Sequence, residues 1–168
     1  MQRLILFRHA KAERRAASGE DYDRDLTERG RRDAELVGRA LVQAGVGVEL
    51  ALVSASRRTR STWEAVSAAF PVARVRYEED LYCAPAERLL EAAQSALETG
   101  AVLIIAHNPG IFDAVLTLIE GGGQHLLDPA HARHGMPTAT AVVFDWRDGK
   151  PALIGYHLAS AYGGGGGE

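Results

Sequence analysis

Cysteine is nearly missing from this chain of 168 residues: it occurs once, at Cys83. That excludes a disulfide framework and any cysteine-rich zinc module, and makes a reducing compartment the default. Long apolar runs are missing too. None approaches the ~18–20 residues needed to span a bilayer, so no membrane association is expected. The opening MQRLILFRHAK has four apolar residues between Arg3 and Arg8, too few for a signal-peptide core. A cytoplasmic location is the expectation. Lysine is scarce as well: only Lys11 and Lys150 accompany the arginines among 19 cations, set against 22 carboxylates for a net charge of −3. Residues 11–33 interleave Lys11, Arg14, Arg15, Arg24, Arg29, Arg31 and Arg32 with seven acidic residues. Such a balanced surface is not a phosphate-backbone footprint, and nucleic acid is excluded as a partner.

What remains is ordinary globular composition, 46% hydrophobic and 24% charged, enough for one domain with a real core. We expect that domain over residues 1–160, with residues 161–168 as a flexible Gly-rich tail. Residues 3–7 read as a buried strand. Residues 9–26 read as a loop of a length associated with function or mobility. From Thr27 a capped helix carries Leu36, Val37, Ala40, Leu41 and Ala44 as its apolar stripe and stops at Gly45. A strand at 50–53 follows, then a helix over 57–70 with Trp63, Val66 and Phe70, ended by Pro71. Residues 72–77 read as an edge strand. Pro85 opens a helix through Leu89, Leu90, Ala93 and Leu97 to Gly100.

Residues 101–106 (AVLIIA) are the clearest buried strand. Asn108-Pro109 reads as a cap plus first-turn proline, opening a helix with Phe112, Val115, Leu116 and Ile119 as its stripe. Residues 121–137 read as loop. Residues 139–146 and 152–158 form a closing hairpin around Asp148-Gly149. The alternation predicts an α/β fold: three layers, α/β/α, with a mostly parallel central sheet.

Three polar clusters follow three of these strands: Arg8-His9, Ser54–Arg58 and His107-Asn108. Strand carboxyl ends of an open parallel sheet share one edge, where ligands bind. A single strand-end histidine is more often a hydrogen-bonded loop residue, and an isolated arginine a solvated surface group. Two histidines and two arginines at one edge are harder to explain that way. Arginine forks grip phosphoryl oxygens. The helix opening at Pro109 would aim the N–H groups of Gly110 and Ile111 at an anion. A neutral histidine with one ring nitrogen hydrogen-bonded is a competent nucleophile towards phosphorus, and no metal is required.

The motifs Arg8-His9-Ala10, Ser54-x-x-x-Arg58-x-x-x-Thr62 and the AHNPG around His107 resemble the histidine phosphatase superfamily, also called phosphoglycerate-mutase-like. RHAKAE, the DRDLTERG of residues 23–30 and the late MPTATAVVFD are similar to the SixA-type phosphohistidine phosphatases. The resemblance runs from residue 3 to about 158. It implies that His9 attacks phosphorus and becomes a phosphohistidine. Arg8, Arg58 and His107 would hold the phosphoryl oxygens until water releases phosphate, with no cofactor. Thr62, one turn after Arg58, is either a support for the substrate site or a satisfied helix threonine. Asn108 enters the substrate-binding set as a neighbour of His107, although a plain helix cap is its stronger reading.

Many members carry a glutamate after the third strand that protonates the leaving group; here Leu81-Tyr82-Cys83 stands near that place, with Glu79 and Asp80 close by. No general acid is assigned, since a phosphorylated imidazole is already a protonatable leaving group. The family's proline before LTERG is Asp25 here. Longer members cap their site with insertions. This chain has only 10–26 and 121–137 for a lid, which suits a phosphorylated protein, of the histidine phosphotransfer type, as substrate. A small phosphate ester is the alternative, and a non-catalytic phosphate-binding module a third reading.

Other chemistry fares worse. A Cys-x5-Arg loop fails because Leu89 stands where the arginine belongs. His125, His131 and His134 lack a cysteine or a nearby carboxylate pair beyond Asp128, so no metal site is assigned. Arg57 and Arg60 either steer phosphate inward or form a solvated helix face.

Overall fold

The computed structural model describes residues 3–96, 98, 100–123 and 135–165. Its centre is β1 (Arg3–Arg8), whose Leu4–Phe7 side chains are fully buried. Alternate residues of a strand face opposite sides of a sheet, and the two cores follow that period. Leu4 and Leu6 enter one core and Ile5 and Phe7 the other. Val102, Ile104 and Ala106 of β4 (Ala101–Ala106) divide from Leu103 and Ile105 in the same way. That is why AVLIIA has no polar position: both its faces are covered.

The sheet has six strands in the order β3-β2-β4-β1-β5-β6. Here β2 is Leu50–Ser54, β3 Arg74–Glu78, β5 Thr140–Arg147 and β6 Lys150–Leu158. The first four in that order run parallel, whereas β5 is antiparallel to β1 and β6 to β5. Helices α1 (Glu28–Gln43) and α2 (Arg57–Ser67) bury residues in one core, α3 (Ala86–Ala96) and α4 (Gly110–Gly121) in the other. The expected three-layer α/β/α fold is present. β3 lies at the outer edge, and its first four residues are exposed. The hairpin turns at Asp148-Gly149, both at positive φ (50° and 75°), as a two-residue turn of matching twist demands.

Several local expectations are corrected. The α1 stripe is Ala34, Val37, Gly38, Ala40 and Leu41, with Leu36 half-buried and Ala44 exposed. Helix α2 ends at Ser67, three residues before Phe70, which is buried beyond the helix end. The α4 stripe is turned by one position. Ile111, Val115, Leu118 and Ile119 are buried while Phe112 and Leu116 flank them. Leu97 lies outside the described residues.

The stretch 9–26 is pinned rather than loose. Thr27 and Lys11 join its two ends, the Thr27 N–H and hydroxyl both donating to the Lys11 carbonyl (2.9 and 3.2 Å). Glu13 N–H donates to the Asp25 carbonyl, and residues 21–23 form a 3-10 turn. The Asp25 carboxylate accepts from the Leu26 N–H and the Ser61 hydroxyl and pairs with Arg31 and Arg57. Hydrogen bonds and ion pairs to Asp25 thus shape this loop.

The described residues beyond β6 are tied to the domain. Residues 159–162 form a 3-10 turn, Tyr162 hydrogen-bonds His157 Nδ1, and Gly165 N–H donates to buried Asp33 on α1.

Candidate active site

Strand order builds the site. β2, β4 and β1 are adjacent, and Arg8 pairs with Ala106 across the ladder. The next residue on each strand is a histidine. Strands lie about 4.8 Å apart, so His9 and His107 come to face each other with ring centroids 5.3 Å apart. Residues far apart in the chain are thus neighbours by topology alone.

His9 is buried, and its Nδ1 lies 2.8 Å from the Ala10 carbonyl. A carbonyl only accepts, so Nδ1 carries the proton and Nε2 keeps its lone pair. Burial holds the His9 pKa well below 6.5, with further depression from His107, against a smaller upward pull from the Ala10 carbonyl. The imidazole is neutral at neutral pH.

His107 is buried and its Nε2 meets the Ser54 hydroxyl at 2.8 Å. Burial, followed by Arg58, pushes its pKa down to about 3. Its Nδ1, like Nε of Arg8, is buried without a hydrogen-bond partner among the described residues. Buried polar groups of native sites are ordinarily satisfied, so two nitrogens held this way suit an anion's oxygens. Arg8 anchors its Nη1 on the Met136 carbonyl (2.7 Å); burial and then Arg58 lower its pKa.

Arg58, 5% exposed, is held by Asp21, Nη1 on the backbone carbonyl (2.9 Å) and Nη2 on the carboxylate (3.0 Å). Asp21 also accepts from the Tyr82 hydroxyl (2.8 Å) and from Arg24 (2.7 Å). Burial by itself would raise the Asp21 carboxyl, but these donors and Arg58 hold it far below the usual carboxylate range. The Tyr82 ring stands edge-on to His107, centroids 5.4 Å apart, and lies under Arg58. Tyr22 packs edge-on against Tyr82 and donates to Glu79.

Asp21, Tyr82 and Tyr22 carried no signal in the sequence. An aspartate and a tyrosine 61 positions apart become neighbours only through tertiary folding. Ser54, by contrast, was visible in the sequence as part of the strand-end cluster at 54–58.

Two residues expected to contact substrate make their observed hydrogen bonds within the protein. Thr62 is fully buried, donates to the Arg58 carbonyl (2.7 Å) and accepts from the Ala10 N–H (3.0 Å), so its hydroxyl serves the protein. Asn108 is not the cap of α4: that position is Pro109, and Asn108 Nδ2 donates to the Met136 carbonyl (3.0 Å). The Ile111 N–H expected to face an anion bonds the His107 carbonyl instead.

Arg57 pairs with Asp25, and Arg60 stacks on Tyr77, so neither reaches inward. Asp80 pairs with Arg88, and Cys83 is exposed. His125, His131, His134 and Asp128 lie outside the described residues, among which no cluster of metal-ligating side chains occurs. Among the described residues no helix is long and apolar enough to cross a membrane.

A cleft of about 270 Å³ opens beside His9 and Arg8 and continues over Lys11, Arg14, Arg24 and Thr138. A larger hollow of about 440 Å³ lies between α1 and α2 at Glu35, Arg39 and Glu64, remote from these histidines.

Comparison with known proteins agrees with this geometry. Residues 4–82 match the model of the histidine phosphatase superfamily (branch 1). The crystal structure of the candidate phosphohistidine phosphatase SixA from Agrobacterium tumefaciens is 30% identical, with a TM-score of 0.81 over 94% of this chain and 97% of that one. Its counterpart from Nakamurella multipartitia is 26% identical at a TM-score of 0.71, covering 93% and 95%. A protein histidine phosphatase SixA complexed with tungstate shares the fold at 22% identity and a TM-score of 0.75, covering 95% and 98%. An uncharacterized Mycobacterium tuberculosis protein is 28% identical over 82% of this chain and 90% of its own length.

Proposed function

Because the chain belongs to the histidine phosphatase superfamily, and is thereby a phosphatase, we propose that it removes the phosphoryl group of a phosphohistidine on another protein. His9 is the nucleophile and the reaction runs in two steps. The observation that carries this reading is the His9 ring itself. Its Nδ1–H is fixed on the Ala10 carbonyl, and its neutral Nε2 is left for phosphorus, 5.3 Å from the His107 ring between centroids.

In the first step His9 Nε2 forms a bond to phosphorus as the substrate's N–P bond breaks, and the departing imidazole takes up a proton. Charge on the transferring group falls on three oxygens, and preorganised donors stabilise it most effectively. Arg8 and Arg58 provide those donors, with His107 through Nδ1–H when Ser54 donates to Nε2. In the second step water attacks phosphorus, the His9 N–P bond breaks and orthophosphate leaves. Thr62 and Asp21 act through the groups they hold, Ala10 and Arg58.

Two considerations favour a protein substrate. The relatives at 30% and 26% identity both carry the phosphohistidine phosphatase name. An imidazole leaving group also fits a site where Glu79, the glutamate after the third strand, accepts a hydrogen bond from Tyr22. The exposed Cys83 thiol accords with work in the reducing cytoplasm.

The test is acid-labile labelling. The chain mixed with a phosphohistidine protein carrying 32P acquires label in the native form and none as His9→Ala. Label persisting in His9→Ala would overturn the assignment. Turnover confined to small phosphate esters would overturn the substrate.

A further inference from the structure

We propose that the cleft beside His9 binds a second anionic group of the substrate, a carboxylate or another phosphate, next to the phosphoryl group that His9 receives. The inference rests on the phosphatase reading and adds a specificity site to it.

The cleft opens from Arg8 and His9 and continues over Lys11, Arg14, Arg24 and Thr138, with no carboxylate among its described lining residues. Its volume of about 270 Å³ leaves room beyond a phosphoryl group for an adjoining part of the substrate. Arg24 is partly offset, because Nη1 pairs with Asp21 and Nε donates to the Glu13 carbonyl. Asp21 is in turn shared with Arg58 and Tyr82. Lys11 and Arg14 line the same cleft. Like charges gathered on the walls of a cleft focus potential and favour ligands of opposite sign. Arginine adds a planar fork suited to carboxylate or phosphate.

The wall is also held in place. The Lys11 backbone is fastened to Thr27 and the Glu13 backbone to Asp25, so the cations project from a pinned loop. Thr138 closes the far side next to Ala139, whose N–H donates to the His9 carbonyl. The subsite therefore keeps a set distance from the nucleophile, and a substrate with two anionic groups at that separation gains from both.

The experiment uses the full chain and two matched pairs: phenyl phosphate against 3-carboxyphenyl phosphate, and phosphohistidine peptides with glutamate or alanine beside the phosphorylated residue. The anionic member is expected to show kcat/KM higher by about tenfold at low salt, the advantage shrinking as salt is added. A preference in the peptide pair alone identifies an acidic protein segment as the source; in the aryl pair alone, a small doubly charged substrate. Lys11→Ala combined with Arg14→Ala should bring the ratio close to unity, and Arg14→Lys should preserve it. Circular dichroism checks that the variants fold.

Affinity for pyrophosphate against phosphate, read by calorimetry, is independent of turnover. It is expected to favour pyrophosphate, and the double substitution should remove that advantage. Equal treatment of both anions and of both members of each pair overturns the subsite, as does a preference surviving the double substitution. Loss of His9-dependent turnover with the pyrophosphate preference intact would overturn the phosphatase assignment and leave the subsite standing.

Discussion

The Thr62 hydroxyl on α2 accepts the N–H of Ala10 at 3.0 Å, and Ala10 is the residue whose carbonyl fixes the His9 ring. One threonine thus ties the second helix to the orientation of the proposed nucleophile.

Thr62→Val keeps the shape of the side chain and removes the hydroxyl, leaving the Ala10 N–H buried without an acceptor. We expect a loss of about 1–3 kcal/mol in unfolding free energy, measured by denaturant titration. A fall in kcat larger than any rise in KM should accompany it, because the tilt of His9 is altered and not the phosphate grip. Thr62→Ser should restore both. Equal stability of the Val variant would refute the coupling.

Protonation sets a second expectation. In the folded chain His9, His107 and His157 all have pKa values lowered chiefly by burial, His107 to about 3. Unfolded histidine titrates near 6.5. As pH falls below about 6.5 the unfolded chain binds protons first, so stability declines from there towards about pH 3. Thermal melts across that range should show the slope. Ring 15N titration by NMR should place the His9 and His107 midpoints on the acid side of 6.5. A midpoint at or above 6.5 for His9 would contradict the buried, neutral nucleophile.

Glu79→Gln addresses the leaving group. Glu79 accepts from the Tyr22 hydroxyl, Tyr22 packs on Tyr82, and Tyr82 packs on His107. Phosphohistidine turnover by this variant should stay within about twofold of the parent, since imidazole departs without a strong acid. Abolished turnover with phosphate binding intact would make Glu79 the proton donor.

Gly30 packs its backbone against the Lys11 carbonyl, leaving no room for a Cβ. Gly30→Ala should push the 9–26 loop off α1 and cost about 1–3 kcal/mol. Because the cations of the cleft ride on this loop, affinity for phosphate should fall with it, a loss that calorimetry would detect. Unchanged melting and phosphate binding would show that the loop is not pinned there.

Legibility in the sequence followed the range of the forces involved. Continuous apolar runs and helical apolar patterns are local, and they mark β1, β4 and the helices because burial dominates those segments. The strand-end address of Arg8, His9, Arg58 and His107 was legible because topology, rather than side-chain detail, brings strand ends together. Asp21 and Tyr82 were illegible. Their contact with Arg58 depends on how a loop folds over the sheet edge, and neither stands in a periodic pattern. Asn108 misled for a related reason. It precedes a helix, as caps do, but Met136 offers its amide a carbonyl on the neighbouring segment. The small tail turn escaped notice because glycine-rich composition conceals a partner as remote as Asp33.

The exposed outer strand, β3, has a consequence for behaviour in bulk. An unguarded sheet border invites another polypeptide to zip on and begin a fibril. Here Arg74 and Arg76 stand along that border, Arg76 locked to Glu78 at 2.6 Å. Two copies approaching rim to rim would bring guanidinium rows together and repel. The same ions that look idle for chemistry are expected to discourage edge-to-edge pairing of this strand.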